Sequence, residues 1–328
     1  MKDSELRVRR NYREGDEYEI LDLFSKVFNK EMSLEVWRWK YMNNPFGKGT
    51  IKLAFDGKKL TGHYAVMPMV VQIEGKPIRA CLSVDTMVHP DYRSKGIFAD
   101  LGNKTYETAS REGAKFVYGF PNSNSYRGFT ERLSWSGFSN MTVWQRDILE
   151  EDIGDLPVTG AIRQIERFQD NIIRLWEKVK QDYPIIVPRT KDFLNWRFVL
   201  NPAVNYMKFV FLGNENELLG YTVLKIYQTP AETKGHIVDM LTVNDEEVIT
   251  EFLNCSYKYF INQGINSLSC WCQDGCLFSK VLRKEGFIQS EMERTYFGVR
   301  IFDRLDESLK IVEHFPGWYL TMGDSDVF

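Results

Sequence analysis

Cysteine and histidine are scarce in this chain of 328 residues, at five and four copies. An odd cysteine count without a secretory leader argues against a disulfide framework. Three of the five, Cys270, Cys272 and Cys276, fall in one stretch, "CWCQDGC". Two readings of it are open, thiolate ligands or alternation along a buried strand. No fourth Cys or His stands nearby to close a zinc site, and no metal is expected. Long apolar runs are also missing: none approaches the ~18 residues of a membrane span. The opening "MKDSELRVRRNYREGDEYE" is charged throughout and lacks the apolar segment of a signal peptide, so a cytoplasmic location is expected. Nor is there a surplus of one charge. Forty-two Lys+Arg against 45 Asp+Glu give a net charge of −3, which offers no overall attraction for nucleic acid.

What is present describes a globular protein, with 43% hydrophobic and 27% charged residues. Its length favours two domains over one core. Arg7 to Tyr12 reads as a strand, and Ile20, Leu23, Phe24, Val27 and Phe28 then recur at helical spacing. "TIKLAFDG" and "LTGHYAVMPMVVQIEG" read as strands, followed by the strand of Val84–Val88 and the helix "GIFADLGNKTYETASREG". A strand "AKFVYGFP" leads to "NSNSYRGFTERLSWSGF", helical and then extended. The resulting order is that of an α/β protein.

A weak internal repeat runs through the chain. "WKYMNNP" at 39–45 returns as "WRFVLNP" at 196–202, "KKLTGHYAVMP" as "NELLGYTVLKI", and the Asp of "SVDTMV" as that of "HIVDMLTV". A period this long implies a duplicated domain, not a solenoid. We expect a first domain over 1–150, a helical linker over 151–190 that includes an amphipathic helix at 159–184, and a degenerate second domain over 191–328.

The copies part where chemistry would be expected. The first has "HPDYRSKGIF", the second "TVNDEEVITEF" without its basic residues or glycine. Successive backbone N–H groups from Ser94 to Phe98, opening onto a helix N-terminus, make an anion nest backed by the helix dipole. Gly96 admits close approach of an anion, and Arg93 and Lys95 add positive charge. The other reading is an ordinary strand–turn–helix with solvated basic residues. One cradle per chain is expected.

The strand "VDTMV", the loop "HPDYRSKGIF" and the segment "NSNSYRGFTERLSWSGF" resemble those of the GNAT superfamily of acyl-CoA N-acyltransferases. The paired Trp-Lys/Arg elements and the terminal "GWYLTMGDSDVF" are similar to two-domain members that acylate amino sugars for bacterial surface polysaccharides. The resemblance implies two tandem GNAT-like domains, each a mixed, mostly antiparallel twisted sheet flanked by helices. It implies coenzyme A, as acyl-CoA, for a co-substrate. Its pyrophosphate would lie on Arg93, Ser94, Lys95, Gly96, Ile97 and Phe98, and its pantetheine along Met87 and Val88 with help from Asn122 and Asn124. Phe98 departs from the family's small residue at that place, and turning into the core would accommodate it.

Acyl transfer to an amine needs a neutral amine, a stabilised oxyanion and a proton for the leaving thiolate. The resemblance points to a base on the strand before the loop, where Asp85 stands; a structural carboxylate is the other reading. The family's usual tyrosine acid is replaced in "GFTERLSW", leaving Tyr126 one turn earlier as the candidate acid or as a packing residue. Asn124 has helix capping as its alternative. His63 is a candidate base or acceptor contact, or a satisfied structural group. Trp39 could wall an acceptor site, although its repeat at Trp196 favours a structural role. Asp324 and Asp326 would share a face of an extended segment and could hold a cationic amino sugar.

The expected activity is therefore acyl-CoA:amine N-acyltransfer, with an acetyl or short hydroxyacyl group moved to a nucleotide-linked amino sugar such as a dTDP-3-amino-3,6-dideoxyhexose. Alternatives are an aminoacyl-tRNA-dependent peptide ligase of similar tandem fold and a non-catalytic CoA-binding module.

Overall fold

The computed structural model describes residues 7–153, 161–229, 232–290 and 295–328. Strand β1 (Arg7–Asn11) leads into α1 (Glu17–Phe28), which buries Ile20 and Leu23 and closes at Asn29 in the left-handed conformation. Ser33 caps α2 (Leu34–Tyr41) by accepting the Val36 N–H. Next come β2 (Thr50–Asp56), β3 (Lys59–Ile73), β4 (Lys76–Val88), α3 (Ile97–Arg111), β5 (Phe116–Gly119), α4 (Tyr126–Leu133) and β6 (Ser136–Asn140). The chain continues through β7 (Val143–Asp147), β8 (Ala161–Gln164), α5 (Asn171–Val179), β9 (Ile185–Ile186) and α6 (Lys191–Phe198). Then follow β10 (Met207–Leu212), β11 (Leu218–Gln228), β12 (Thr233–Thr242), α7 (Glu246–Asn262) and β13 (Ser267–Trp271). The last elements are α8 (Leu277–Lys284), β14 (Ile288–Ser290), β15 (Tyr296–Ile301) and β16 (Trp318–Tyr319).

Two compact units result. The first comprises Met1–Val71, Pro77–Ser139 and Thr295–Phe315; the second comprises Gln72–Lys76, Asn140–Arg294 and Pro316–Phe328. Within the first, the strand order is β1-β2-β3-β4-β5-β15-β6. Within the second it is β14-β7-β13-β12-β11-β10-β8; β16 pairs with β9, and β9 pairs in turn with Gln72 and Ile73 at the end of β3. Each main sheet is mostly antiparallel and has a parallel pair joined by a helical crossover. In the first unit α3 joins β4 to β5, where Ala80–Leu82 pair with Phe116–Tyr118. In the second α7 joins β12 to β13, where Gly235–Ile237 pair with Leu268–Cys270.

The next strand in each sheet is antiparallel and comes from far away in the chain: β15 on β5, and β7 on β13. The units therefore cut across a sequential division at residues 150 and 190. The amphipathic helix read over 159–184 is also corrected. Only Asn171–Val179 is helical, because Ala161–Gln164 pair with β10 instead, a tertiary ladder overriding local periodicity. Thr159 and Gly160 lie outside the described residues.

Each unit has its own core. Tyr64, Ile97, Leu101, Phe129, Leu133 and Trp135 pack in the first, and Trp144, Phe211, Phe252, Phe260 and Leu268 in the second. Among the described residues, no helix is long and apolar enough to cross a membrane.

Candidate active site

Strand β4 runs to Val88, whereas its parallel partner β5 stops at Gly119. Along this outrunning half, Asp85 takes a left-handed φ of +44°, a conformation that costs a non-glycine residue about 1–3 kcal/mol. Neighbouring groups hold it there. Lys40 Nζ donates to both carboxylate oxygens at 3.0 and 2.9 Å, and Tyr41 Oη donates to Oδ2 at 2.5 Å. Both come from α2, whose Trp37, Trp39, Lys40 and Tyr41 are buried. Burial would raise the Asp85 pKa, but the charge of Lys40 and the hydrogen bonds from Tyr41 and Lys40 outweigh it and hold the carboxyl below its usual range. Of the two readings of Asp85, general base and structural carboxylate, a saturated, low-pKa carboxylate favours the second, a fixed anion.

The same kink turns the Asp85 carbonyl toward β3, where His63 Nδ1 lies 2.9 Å away. A carbonyl only accepts, so Nδ1 carries the proton and Nε2 presents a lone pair. Nε2 is buried and has no hydrogen-bond partner among the described residues. Burial draws the His63 pKa down to about 4, against the bond to Asp85 and its charge, so the ring is neutral at pH 7.

The loop following β4 has the conformation that its residues suggest. Ser94 and Gly96 both adopt positive φ, +62° and +77°, and residues 93–96 are exposed. A Cβ on Gly96 would meet nothing within 4 Å, so the glycine serves backbone conformation and leaves space above the turn. No side chain among the described residues caps α3, which leaves its first N–H groups directed to the loop mouth. Lys95 Nζ lies 4.6 Å from the Tyr92 ring centre, and Arg93 is exposed. In the second unit, Asp245 caps α7 by accepting from the Glu247 and Val248 N–H groups. That helix end already holds its own anion, so of the two crossover helices α3 alone keeps an open N-terminus.

Phe98 is partly buried, with its ring 5.6 Å from that of Tyr64 and 5.3 Å from that of Phe129. A Cβ on Gly128 of α4 would come within 3.1 Å of Phe98. The bulky residue at a customarily small position is thus balanced by a glycine on the facing helix, which sequence reading did not detect.

Other candidates fall elsewhere. Met87 is buried and Val88 partly so at the end of β4. Tyr126 packs its ring between Phe138 and Tyr296, at 4.8 and 4.5 Å. Asn122 Oδ1 accepts the Asn124 and Ser125 N–H groups, so Asn122 holds the turn before α4, a role considered for Asn124, which is exposed. Trp39 is buried and does not form an open wall. Asp324 is also corrected: its carboxylate is fully buried, paired with both terminal nitrogens of Arg189 at 2.7 and 2.8 Å. Residues 322–324 form a tight helical turn, so Asp324 and the partly exposed Asp326 do not lie on an extended face. Arg189 also bonds Asp239, the counterpart of Asp85, at 3.0 Å. Lys40 was overlooked; its place directly after the repeated Trp39 was the available signal.

Residues 9–137 match the family model described as "Acetyltransferase (GNAT) domain". That stretch is under half of the chain and supports the GNAT superfamily for the first unit. This makes it an acyltransferase, with acyl-CoA the co-substrate of the class. No curated protein sequence matches it. Among solved structures, it is similar to a GCN5-related N-acetyltransferase from Anabaena variabilis, with TM-score 0.68 and 13% identity over 90% of this chain and 73% of that one. A probable N-acyltransferase from Enterococcus faecalis gives TM-score 0.68 and 14% identity, covering 90% and 72%. Saccharomyces cerevisiae N-myristoyltransferase with bound myristoyl-CoA gives 0.59 and 11%, covering 89% and 78%. These likenesses concern the fold and span both units of the chain.

Proposed function

We propose that the first unit transfers an acetyl or short hydroxyacyl group from acyl-CoA to the primary amine of a nucleotide-linked amino sugar, in the making of a surface polysaccharide. The observation that carries acyl-CoA use is the open cradle: Ser94 and Gly96 in positive φ, exposed, before the uncapped N-terminus of α3. Arg93 and Lys95 supply charge for the pyrophosphate, and the half of β4 beyond β5, at Met87 and Val88, supplies backbone for the pantetheine. Asn122 and Asn124 flank the end of β5. The amino sugar rests on the sequence resemblance, with a dTDP-3-amino-3,6-dideoxyhexose as the first acceptor to try.

In this reading Asp85 is a positioning residue. Its ionised carboxylate anchors α2 through Lys40 and Tyr41, while its carbonyl fixes the His63 tautomer. His63 Nε2 is then the acceptor for the amine proton, directly or through water, and Tyr126 remains the candidate donor to the leaving thiolate. Asp326 is the remaining candidate contact for a cationic acceptor.

Thermal unfolding with acetyl-CoA tests the cradle. Ligand at about 100 times its Kd adds roughly 2.7 kcal/mol, a rise of some degrees. Gly96→Glu should lose that rise and Gly96→Asn, which tolerates positive φ, should keep most of it. No rise in folded wild-type protein would reject acyl-CoA binding. Thiol release is then measured over nucleotide amino sugars, free amines and peptides. Release with peptides alone would reject the amino sugar and leave the cradle standing.

A further inference from the structure

Outside the acyl-transfer machinery, the second unit contains a cavity of about 470 Å³. Its wall includes Tyr183, Trp271, Cys272, Cys276, Phe278 and Trp318. The cavity lies where β12 runs past the end of β13, and Cys272 and Cys276 occupy the turn from β13 into α8. Their sulfurs stand 3.4 Å apart. A disulfide requires about 2.05 Å, so the pair is unbonded but within a small side-chain adjustment of bonding. Gly275, at φ +92° with nothing within 4 Å of its would-be Cβ, lets the turn bring the two sulfurs together.

The two thiols are unequal. Cys272 is buried, and burial pushes its pKa well above the usual thiol value. Cys276 is partly exposed and is the N-cap of α8, its Sγ accepting the Ser279 N–H at 3.5 Å. The Cys272 thiol donates to it, and this bond, with help from Ser279 and against burial, pulls Cys276 down to about 6. Both sulfurs also lie 3.4 Å from the Gln273 carbonyl oxygen, which receives whichever S–H is not shared within the pair. A more acidic outer thiol beside a protonated inner one is the arrangement of an attacking and a resolving cysteine. The remaining cysteines offer no such pairing: Cys81 is buried, Cys270 is buried, and burial raises the Cys255 pKa to about 12.

We propose that Cys276 and Cys272 form a thiol–disulfide exchange site whose cavity admits a low-molecular-weight disulfide. Cys276 Sγ, as thiolate, attacks one sulfur of R–S–S–R; that bond breaks and one R–S⁻ leaves, taking a proton from solvent. Cys272 loses its proton to solvent and attacks the Cys276 sulfur, releasing the second R–S⁻. The protein pair is oxidised by two electrons, and the small disulfide is reduced to two thiols. The site is independent of the acyl-CoA reading, because it uses none of the residues of the first unit.

The test uses the full chain with glutathione disulfide as probe, followed by peptide mass mapping under native conditions. Wild type should form a Cys272–Cys276 disulfide that a dithiol reductant reverses. Cys272→Ser should accumulate a glutathione adduct on Cys276, and Cys276→Ser should lose reaction at this turn. Formation of adducts at Cys255 with none at Cys276 overturns the proposal. Wild type alone supplies a second measure: at pH 7, Cys276 should alkylate at least tenfold faster than Cys255. Equal rates, or a slower Cys276, also overturn it.

Discussion

Lys40 Nζ contacts both carboxylate oxygens of Asp85, at 3.0 and 2.9 Å, across 45 residues of sequence. Their side chains are only 6% and 10% exposed, so this pair is screened far less than a surface bridge. A buried pair contributes little beyond well-packed apolar residues, yet removing one partner strands the other charge.

Lys40→Met should therefore lower stability by about 3–5 kcal/mol in urea unfolding. Lys40→Met with Asp85→Asn should recover much of that loss, since no charge is left behind, and Asn tolerates the positive φ. Simple additivity of the two single losses would show that the pair is uncoupled. The pH sign follows from the lowered carboxyl pKa. The Asp85 contribution is fully present above about pH 4, the ordinary carboxyl range, and fades as pH falls through its lower folded value.

His63 carries the opposite kind of group with a similar direction. Its pKa is about 4 when folded, against about 6.5 for an unperturbed imidazole. Between these values the unfolded chain binds a proton that the folded one refuses. Stability is full above pH 6.5 and declines on acidification toward pH 4, by on the order of 3 kcal/mol. His63→Gln should remove about one proton from the slope of stability against pH in that window. His236, drawn by burial to about 3, keeps its own contribution in the variant. An unchanged slope would mean that His63 already titrates normally.

The Phe98–Gly128 contact can be read from the helix side. Gly128→Val places methyl groups where the Phe98 ring lies, and overpacking of this kind costs about 1–3 kcal/mol. The companion change Phe98→Ala makes room and should restore part of the loss. Acyl-CoA binding should weaken in Gly128→Val, because Phe98 stands in the first turn of α3. A valine tolerated without any change in melting temperature would show that the two helices are not in close contact.

Asp324→Asn separates a structural carboxylate from a substrate contact. It leaves Arg189 with one carboxylate where two now bind it, Asp324 and Asp239. Melting temperature should fall with a loss of about 2–4 kcal/mol, while KM for the amine stays unchanged. A raised KM at unchanged stability would return Asp324 to the acceptor site.

Much of the first unit was legible in the sequence because its signals are local. A positive-φ glycine, basic neighbours and a helix start within "YRSKGIF" define the turn without help from elsewhere, and the repeat of Trp39 at Trp196 disclosed two related halves. The fixed-anion state of Asp85 was not legible, since Lys40 and Tyr41 are brought to it only by the packing of α2 against β4. Asp324 misled for the same reason: two carboxylates close in sequence suggest a cation site, and the cation proved to be the protein's own Arg189.

Sequence alone determined most element types of the first unit and the positive-φ turn before α3, because backbone conformation and helix polarity there are set by neighbouring residues. Tertiary structure decided which strands complete each sheet, the state of the buried carboxylates and the meeting of Cys272 with Cys276. Those outcomes depend on long-range pairing and on desolvation. A charge or thiol removed from water takes its character from whatever the fold places beside it, and the chain order does not state that.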